Sequence, residues 1–575
     1  MIDYDSISAH INKTEACNRL SEEAINNLDY RFFKYGIVWE IITEINFGGK
    51  NLELILYLNF SDDFPLVLPK VFINKDIYTY MMYIPHVNMD YSICIFDEGL
   101  NFKEPENILE FVEVFIAKAK KIIRESEDEQ YNIEEFKREF KAYWELSFNN
   151  FDQLDSGFFS MKDKDLTNLK GVKFNRLLSG YQYYLYDDEK DLDQLKIYCS
   201  SINVKLIDID VLVIENQFEK PPYSLTYMES VELIKRDVHK YENFKNICNK
   251  TDFENILVVF SNDINDTTEI YGWTYKGLEI LPRKKGGYRN DSSRLNYMTN
   301  PKTGNGSVLR LRFDNLSLDR LQIRTASYLE EQKSVVISGL GSVGSNLIYF
   351  LKNLPVSKFN LIDNDFLSIE NIKRHFSGFV DVNNPKVDVL QLHLKETNPL
   401  YEIDVRKKLV TQIIDYEPEF FNCCDFHIVA IGKSTVEKYI LDKVLMGVIK
   451  IPTILFWVEP FLASGQMIYV NPEDAAKALE IINEYPYHVL SNNQIDKTYL
   501  VEGSCQTGYF PYSSTYLVQF LAAIYPYLSR YINNKDGPSR IYTWIGDKVL
   551  LEDRGLNLTN FGSDNNAFEI IVNDL

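Results

Sequence analysis

The 575-residue sequence predicts a multidomain protein that combines α+β and α/β folds. From about residue 334, an apolar strand, a glycine-rich turn, a helix and a second strand follow one another, which is typical of a Rossmann-like, doubly wound sheet. In the first 150 residues, a helix, two antiparallel strands, an irregular loop and further helices indicate α+β. At ~100–200 residues per domain the length predicts about three domains. We place them at 1–150, 151–310 and 311–575.

Composition excludes several classes of protein. Lys and Arg total 61 against 83 Asp and Glu, and this net charge of −22 would repel a phosphate backbone, so we expect no direct binding of nucleic acid. The most apolar stretch, 451–462, is far shorter than the ~20 residues that span a bilayer, and the N-terminal residues do not resemble a signal peptide. Seven cysteines include no C-x-x-C pair. We therefore expect a cytoplasmic protein with reduced thiols and no association with a membrane.

The first region contains two strand-like runs, 36–47 and 52–59, separated by the turn Gly48-Gly49-Lys50. An irregular, proline-containing segment and a cysteine-bearing loop follow. Helical periodicity then predicts helices at 105–124 and 133–144. The middle region, 151–310, alternates short apolar runs with acidic and glycine-containing loops and carries no recognisable catalytic motif. We predict that it is an α/β or α+β linker or docking domain.

The third region contains a candidate nucleotide site. Gly339, Gly341 and Gly344 form a G-x-G-x-x-G turn between a strand and a helix, and Asp363 ends the next strand 24 residues after Gly339. Such a turn brings backbone N–H groups and the helix dipole to phosphates, while the acid can bind ribose hydroxyls. A dinucleotide and ATP both fit this pattern. A glycine turn used only for helix–sheet packing is the structural alternative.

The residues after the second strand favour ATP. Asp365 is followed by the run Asn371-Ile372-Lys373-Arg374-His375, and Lys386 comes eleven residues later. A dehydrogenase does not need cations at this place. A triphosphate attacked at its α-phosphorus does, because negative charge develops on the phosphoryl oxygens in the transition state.

At these motifs, G-L-G-S-V-G, D-N-D, I-E-N-I-K-R and N-N-P-K, residues 311–575 resemble the ubiquitin-activating and ThiF/MoeB-type adenylyltransferases. The resemblance implies that Asp363 binds the ribose, that Asn371, Arg374 and Lys386 bind phosphates, and that Arg324 reaches the triphosphate across a homodimer. The residues that we assign to ATP are Gly339, Gly341, Gly344, Asp363, Asp365, Asn371, Arg374, Lys386 and Arg324. The family usually has a Mg²⁺-positioning Asp after the next strand. Here Gly432, Lys433 and Ser434 stand there, so the metal ligand is unknown and Mg²⁺ is expected to arrive with ATP.

Cys505 lies in the glycine-flanked segment Glu502–Gly508, ahead of an apolar helix predicted at 516–531. An exposed thiol near a helix is suited to act as a nucleophile, whereas most cysteines outside disulfides are small buried hydrophobes. The flanking glycines and polar residues favour the catalytic interpretation. By contrast, we interpret Cys423 and Cys424 as structural and His427 as a core histidine.

Cys94 follows the run Pro85-His86-Val87-Asn88 and, further upstream, Asp63–Phe72. Over about 20–145 these segments resemble ubiquitin-conjugating enzymes, whose pattern is a proline-rich run, then H-P-N, then the thioester cysteine. The resemblance implies catalytic roles for Cys94, His86 and Asn88. Val87 replaces the usual proline, the spacing to Cys94 is short, and an alternative register equates Pro85-His86 with His-Pro. A non-catalytic binding domain of this fold is the alternative.

An activating and a conjugating domain in one chain resemble the bacterial fused conjugating–activating proteins of CBASS anti-phage islands, also at Ile454–Gln466. The resemblance implies that ATP activates the flexible C terminus of a cGAS-like nucleotidyltransferase. The acyl group would then pass from Cys505 to Cys94 and finally to a lysine of an acceptor. A separate ubiquitin-like modifier as substrate, a ThiF-type sulfur-carrier adenylyltransferase and a non-catalytic scaffold are the alternatives.

Overall fold

The computed structural model describes most of the chain. The described residues are 4–13, 15–28, 36–64, 67–81, 83–95, 108–145, 154–162, 165–176, 180–264, 267–275, 295, 298–301, 304–327, 329–491, 494, 498–501, 508–533 and 537–575. They form two compact units. One comprises Met1–Asp187 and Ile207–Asp314, and the other comprises Asp188–Leu206 and Asn315–Leu575. The three domain boundaries stay a prediction.

The N-terminal part is an α+β fold around a five-stranded antiparallel sheet, as predicted. Its strands, in sheet order, are β1 (Ala16–Arg19), β2 (Ile37–Phe47), β3 (Lys50–Phe60), β4 (Lys70–Ile73) and β5 (Ser92–Ile93). Its helices are α1 (Tyr4–Ile11), α2 (Glu22–Asn27), α3 (Lys75–Met81), α4 (Ile108–Glu125) and α5 (Glu129–Glu145). Gly48 and Gly49 both have positive φ, which a two-residue hairpin turn between β2 and β3 requires. The apolar face of α4 packs on this sheet through Val112, Phe115 and Ala119.

Residues 154–315 form a closed barrel rather than an open layer of strands. The strand order is β10-β11-β12-β6-β8-β7-β9, closed by parallel pairing of β9 with β10. The strands are β6 (Leu154–Ser160), β7 (Lys170–Arg176), β8 (Gly180–Tyr186), β9 (Leu206–Val213), β10 (Ile256–Ile264), β11 (Thr267–Thr274) and β12 (Leu309–Asn315). The helices of this region are α6 (Glu189–Ser201), which belongs to the second compact unit, α7 (Tyr227–Lys235) and α8 (Val238–Lys250).

Helix α5 contacts both the barrel and the N-terminal fold, where the Phe136 and Tyr143 rings pack edge-to-face on Tyr83. Its C-terminal half carries Phe136, Phe140, Tyr143 and Trp144 into one apolar cluster with the barrel strands and helix α7. The Trp144 indole Nε1 donates to the carbonyl oxygen of Leu311 at 3.0 Å, which satisfies the polar atom of a fully buried ring. The barrel and the N-terminal fold therefore share one helix.

The second unit contains the predicted doubly wound sheet. Its strand order is β15-β14-β13-β16-β17-β18-β21-β22, and the first five strands run parallel. The strands are β13 (Lys333–Ser338), β14 (Val356–Ile362), β15 (Glu402–Arg406), β16 (Phe426–Val429), β17 (Thr453–Val458), β18 (Ser464–Val470), β21 (Arg540–Ile545) and β22 (Ile570–Asp574). A separate two-stranded hairpin pairs β19 (Leu500–Val501) with β20 (Gly508–Tyr509).

Helices flank this sheet. They are α9 (Leu318–Ala326), α10 (Ser342–Leu351), α11 (Lys386–Thr397), α12 (Val410–Tyr416), α13 (Glu419–Asn422), α14 (Ser434–Leu445), α15 (Ala475–Asn483), α16 (Ser514–Asn533), α17 (Lys548–Asp553) and α18 (Asn560–Asp564). Parallel strands present their carboxyl ends at one edge, so the loops after β13, β14, β16 and β17 meet there. Among the helices in the described parts of the chain, none is long and apolar enough to cross a bilayer.

Candidate active sites

The N-terminal fold has a cleft of about 530 Å³ at the predicted thioester cysteine. Cys94 is exposed and lines this cleft together with His86 and Asn88. The remaining lining residues are Leu68, Pro69, Lys70, Ser92, Ile93, Ile95, Phe115, Glu139 and Ala142. The structure therefore brings all three residues predicted from the 85–95 run to one concave surface.

A tight turn positions the cysteine. Val87 and Ile93 pair as an antiparallel bridge, and the backbone N–H of Cys94 donates to the carbonyl oxygen of His86 at 2.7 Å. His86 and Tyr91 both adopt left-handed backbone conformations, with φ of 61° and 66°. These conformations are uncommon outside glycine and let the short loop reverse direction within a few residues.

The Asn88 side chain supports this turn. Its Nδ2 donates to the Ser92 hydroxyl at 3.0 Å, and that hydroxyl donates to Asp90 Oδ1 at 2.6 Å. One of the two Asn88 amide hydrogens is thus used within the loop, and the other is available to an oxyanion. A catalytic role for Asn88 stays a prediction.

His86 contacts two glutamates of α5. Its Nε2 lies 3.1 Å from Glu135 Oε2, and its Nδ1 lies 3.2 Å from Glu139 Oε1. The hydrogen bond with Glu139 is the largest influence on the imidazole, and together with Glu135 it raises the pKa of His86 against the opposing effect of burial. Sequence reasoning missed both glutamates, because nothing in the helical pattern of α5 singles them out.

In the second unit, the glycine motif forms the turn between β13 and α10. Gly339 has a φ of +90°, and a Cβ on Gly344 would lie 2.0 Å from the carbonyl oxygen of Gly339. Both positions therefore require glycine, whereas a Cβ on Gly341 would meet nothing within 4 Å. Gly341 precedes α10 as its N-cap, and no side chain caps this helix terminus. Backbone N–H groups at such a terminus are suited to bind an anion.

Asp363 lies beside this turn. Its carboxylate accepts from the backbone N–H of Leu340 at 2.6 Å and from that of Asp365 at 2.8 Å. Burial raises the pKa of Asp363, and the nearby Lys386 ammonium opposes this. Each carboxylate oxygen keeps acceptor capacity, so the residue fits a ribose hydroxyl.

Lys386 and Asn371 are tied into the loop after β14. The Lys386 ammonium is buried and donates to Asp365 Oδ2 at 3.0 Å. Asn371 Oδ1 accepts from the backbone N–H of Ser368 at 3.3 Å, and its backbone carbonyl accepts from Arg374 and from His375 at 2.8 Å. Residues 371–375 therefore form one turn that ends in Arg374 and His375.

His375 was not predicted as a site residue, yet it holds the glycine turn. Its Nε2 donates to the Leu340 carbonyl at 2.9 Å, and its Nδ1 accepts from the Ser377 backbone at 3.1 Å. Burial lowers the pKa of His375 to about 4, so the ring is neutral at physiological pH. Asn346 was not predicted as a site residue either. Its side-chain Nδ2 donates to the backbone carbonyl oxygens of Ser342, in α10, and of Arg374.

Two predicted site residues are not placed by these contacts. Arg324 lies exposed on α9. Cys505 lies outside the described residues; in sequence it falls between β19 and β20.

The other predicted structural residues have distinct surroundings. His427 is fully buried, bonds the Ser338 hydroxyl at 2.8 Å, and has a pKa lowered by burial to about 3, as expected of a core histidine. Cys424 is buried. Cys423 is exposed, with its Sγ 3.7 Å from the Lys358 ammonium, and it precedes β16, at the opposite edge of the sheet from the glycine turn.

The residues present fit ATP better than they fit a dedicated metal. An uncapped helix terminus, Asp363 and Lys386 lie at one edge of the sheet, and the Arg374 backbone is hydrogen-bonded to Asn346 of the same helix. In the described part of the chain, no cluster of three or more His, Cys, Asp or Glu side chains could hold a metal ion. The loop after β16 leads through Gly432 into α14 without an acid, as noted from the sequence.

Two family models match the chain. Residues 33–152 match Prokaryotic E2 family B, and residues 315–486 match the ThiF family. The chain is thus a multidomain protein with an N-terminal E2-like domain and a C-terminal ThiF-type domain. A curated relative is tRNA threonylcarbamoyladenosine dehydratase 2 of Saccharomyces cerevisiae, 36% identical over 78 residues, or 13% of this chain. The chain spans only 17% of that protein's length.

Solved structures resemble part of the chain. The match with selenomethionine PaaA spans 45% of this chain and 72% of the PaaA chain, at 15% identity and a TM-score of 0.29. The match with E. coli MccB bound to MccA-N7isoASN spans 45% of this chain and 66% of the MccB chain, at 13% identity and a TM-score of 0.28. The match with E. coli tRNA N6-threonylcarbamoyladenosine dehydratase in complex with AMP spans 38% of this chain and 93% of the dehydratase chain, at 13% identity and a TM-score of 0.26. Likenesses with such low TM-scores do not bear on function.

Proposed function

We propose that this protein uses ATP to activate a protein C terminus and transfers the acyl group through two cysteines to an amine. One observation carries the proposal. A single chain contains an exposed cysteine in a cleft of an E2-like domain. Its ThiF-type domain contains a glycine turn, the carboxylate of Asp363 beside that turn, and the ammonium of Lys386. A sulfur-carrier adenylyltransferase would need only the second of these.

The chemistry balances in four steps. A carboxylate oxygen attacks the α-phosphorus of ATP, which gives an acyl-adenylate and releases pyrophosphate. The Cys505 thiolate attacks the acyl carbon and displaces AMP. The Cys94 thiolate then displaces Cys505, and finally an amine displaces Cys94, loses a proton and becomes an amide. A lysine side chain of an acceptor protein is the proposed amine.

In the first step, Asp363 would orient the ribose while Arg374 and Lys386 would stabilise the charge that develops on the phosphoryl oxygens. The N–H groups at the start of α10 would bind phosphate oxygens. Mg²⁺ is proposed to enter bound to ATP. Among the described residues, no group of three or more His, Cys, Asp or Glu side chains could hold a metal ion by itself.

The substrate is proposed to be the flexible C terminus of a cGAS-like nucleotidyltransferase in anti-phage defence, on the motif resemblance alone. A separate ubiquitin-like modifier would use the same chemistry. The two are distinguished by adding each purified candidate with ATP and following mass increase on the acceptor.

A homodimer of the 311–575 region is also proposed. Support comes from apolar side chains exposed in the loop between β14 and α11, where Phe379 and Val380 are 77% and 85% exposed. A second copy could cover them. Light scattering should report a dimer that Phe379→Asp weakens. A fully active 67.2 kDa monomer at micromolar concentration would contradict this arrangement.

The test of the main proposal is ATP–pyrophosphate exchange stimulated by a candidate C-terminal peptide, followed by non-reducing gels that detect thioesters. Exchange with ATP and thiol-sensitive adducts are expected. Tight NADH binding without ATP binding would overturn the proposal.

A further inference from the structure

The Cys94 cleft contains a charged cluster that no motif indicated. It consists of His86, from the turn that carries Cys94, and of Glu135 and Glu139, from α5. The three side chains are largely buried, with exposed fractions of 21%, 11% and 24%. Glu139 also lines the cleft beside Cys94.

Both ring nitrogens of His86 face carboxylate oxygens, at 3.1 Å and 3.2 Å. A carboxylate only accepts hydrogen bonds, so both nitrogens must donate, and the ring that can do this is the imidazolium. The raised pKa of His86 agrees with this geometry. An imidazolium has no lone pair on nitrogen, so in this arrangement His86 is a fixed cation and not a general base.

His86 and Cys94 are directly opposite each other. Val87 pairs with Ile93 across the turn, and the next pair outward joins the Cys94 N–H to the His86 carbonyl at 2.7 Å. Both side chains also line the same cleft. A cation in such a cleft stabilises a neighbouring thiolate.

We propose that His86 is the cation that stabilises the Cys94 thiolate, and that Glu135 and Glu139 are positioning residues that hold His86 in place as an imidazolium. This inference rests on the proposed function for its purpose. The thiolate is the form that attacks the incoming thioester, and it is also the group that leaves when an amine attacks. Its proton goes to solvent in the first case, and the amine's proton goes to solvent in the second.

Other charges face this cluster. Lys70 of β4 lines the cleft, Arg138 pairs with Glu135, and Asp90 lies in the turn. The phenols of Tyr83, Tyr143 and Tyr223 also face Glu139, and burial raises the pKa of each, so they stay neutral. Three cations thus oppose three carboxylates, and His86 is the cation paired with Cys94 across the turn.

The test measures the thiol itself and needs neither ATP nor substrate. Iodoacetamide alkylates the full-length protein across pH 5 to 10, and peptide mass spectrometry follows Cys94. In His86→Asn, where asparagine tolerates the left-handed backbone, the alkylation midpoint should rise by about one pH unit. In the double variant Glu135→Gln/Glu139→Gln, the pKa of His86, followed by NMR titration of its ring protons, should fall, because the neutral imidazole is then favoured.

His10→Gln is the matched control. It removes another histidine–glutamate pair of the same domain, His10 with Glu113 at 2.6 Å, and should leave the midpoint of Cys94 unchanged. Should His86→Asn fail to fold by circular dichroism, the single variant Glu139→Gln with NMR titration of His86 keeps the inference testable. A Cys94 midpoint equal to that of the wild type in folded His86→Asn, or an unchanged His86 pKa in Glu139→Gln, would overturn the inference. If the midpoints change as expected but the protein never forms a thioester on Cys94, the proposed function is overturned and the inference about His86 stands.

Discussion

Arg374 donates from Nη1 to the carbonyl oxygen of Phe510 at 3.2 Å, and its guanidinium lies 4.8 Å from the centre of the Tyr512 ring. Phe510 and Tyr512 follow Cys505 by five and seven residues. A cation assigned to the phosphates therefore contacts the segment that leads away from the proposed nucleophile.

Arg374→Ala should reduce ATP–pyrophosphate exchange by about 100-fold, because it removes a charge that stabilises the adenylation transition state. Arg530→Ala is the matched control, since Arg530 lies over an aromatic ring of α16, with its guanidinium 5.7 Å from the Tyr527 ring centre. Exchange at the wild-type rate in both variants would remove Arg374 from the site.

The glycine turn offers a matched pair of substitutions. Gly344→Ala should lower the melting temperature by several degrees, because its Cβ would clash with the Gly339 carbonyl. Gly341→Ala should leave the melting temperature unchanged, since its Cβ has open space, yet weaken ATP binding if phosphates occupy that space. Scanning calorimetry and nucleotide titration distinguish the two effects. Unaltered ATP affinity in Gly341→Ala would place the phosphates elsewhere.

Local patterns predicted much of the fold. The alternation of apolar residues and the glycine pair predicted the β2–β3 hairpin, and the G-x-G-x-x-G turn with Asp363 predicted the β13–α10–β14 unit. In each case the determining residues lie close together in sequence, and their steric requirements are specific.

The missed features depend on distant residues. His86 and Glu135 are separated by 49 positions, and Arg374 and Phe510 by 136. Barrel closure depends on pairing β9 with β10, across α7 and α8. No local sequence pattern indicates these contacts, because each arises from tertiary packing. Cys505, a residue on which the relay depends, lies outside the described residues, so its placement stays a prediction.

The shared helix α5 predicts coupling between the barrel and the Cys94 turn. Trp144→Ala should destabilise the protein by about 3–5 kcal/mol, because it removes a fully buried ring and its hydrogen bond to Leu311. Hydrogen exchange should increase both in the barrel and around His86. Tyr80→Ala, which removes a side chain that is 63% exposed, is the control and should change stability by less than about 0.5 kcal/mol. Faster exchange confined to the barrel would contradict the coupling.

Glu437, in the first turn of α14, predicts a pH effect. Burial raises its pKa from 4.5 to about 7, so the folded protein holds a proton that the unfolded chain releases. Stability from this group is present below pH ~4.5 and is lost as pH rises to about 7. Glu437→Gln should therefore match wild type at pH 4.5 and exceed it at pH 8, by up to roughly 3 kcal/mol. Denaturant melts at both pH values test this, with exposed Glu480→Gln as control. A constant difference at both pH values would contradict it.

The order of the two thiols is the most direct test of the relay. Cys94 lies in a domain without a nucleotide motif, so it should receive the acyl group only by exchange with a thioester already formed. Cys505→Ala should therefore keep ATP–pyrophosphate exchange and lose the adduct on Cys94. Cys94→Ala should keep the Cys505 adduct and lose conjugation to amines.

Cys423→Ala is the control for these two substitutions. Cys423 is exposed like Cys94, but it lies at the edge of the sheet opposite the glycine turn and should not carry the acyl group. Both adducts should disappear with thiol reductant on a gel, whereas the final amide should persist. A Cys505→Ala protein that still charges Cys94 at the normal rate would replace the relay with direct transfer from the adenylate to Cys94. The same result would leave the role of His86 at Cys94 intact, because a thiolate is needed there for either route.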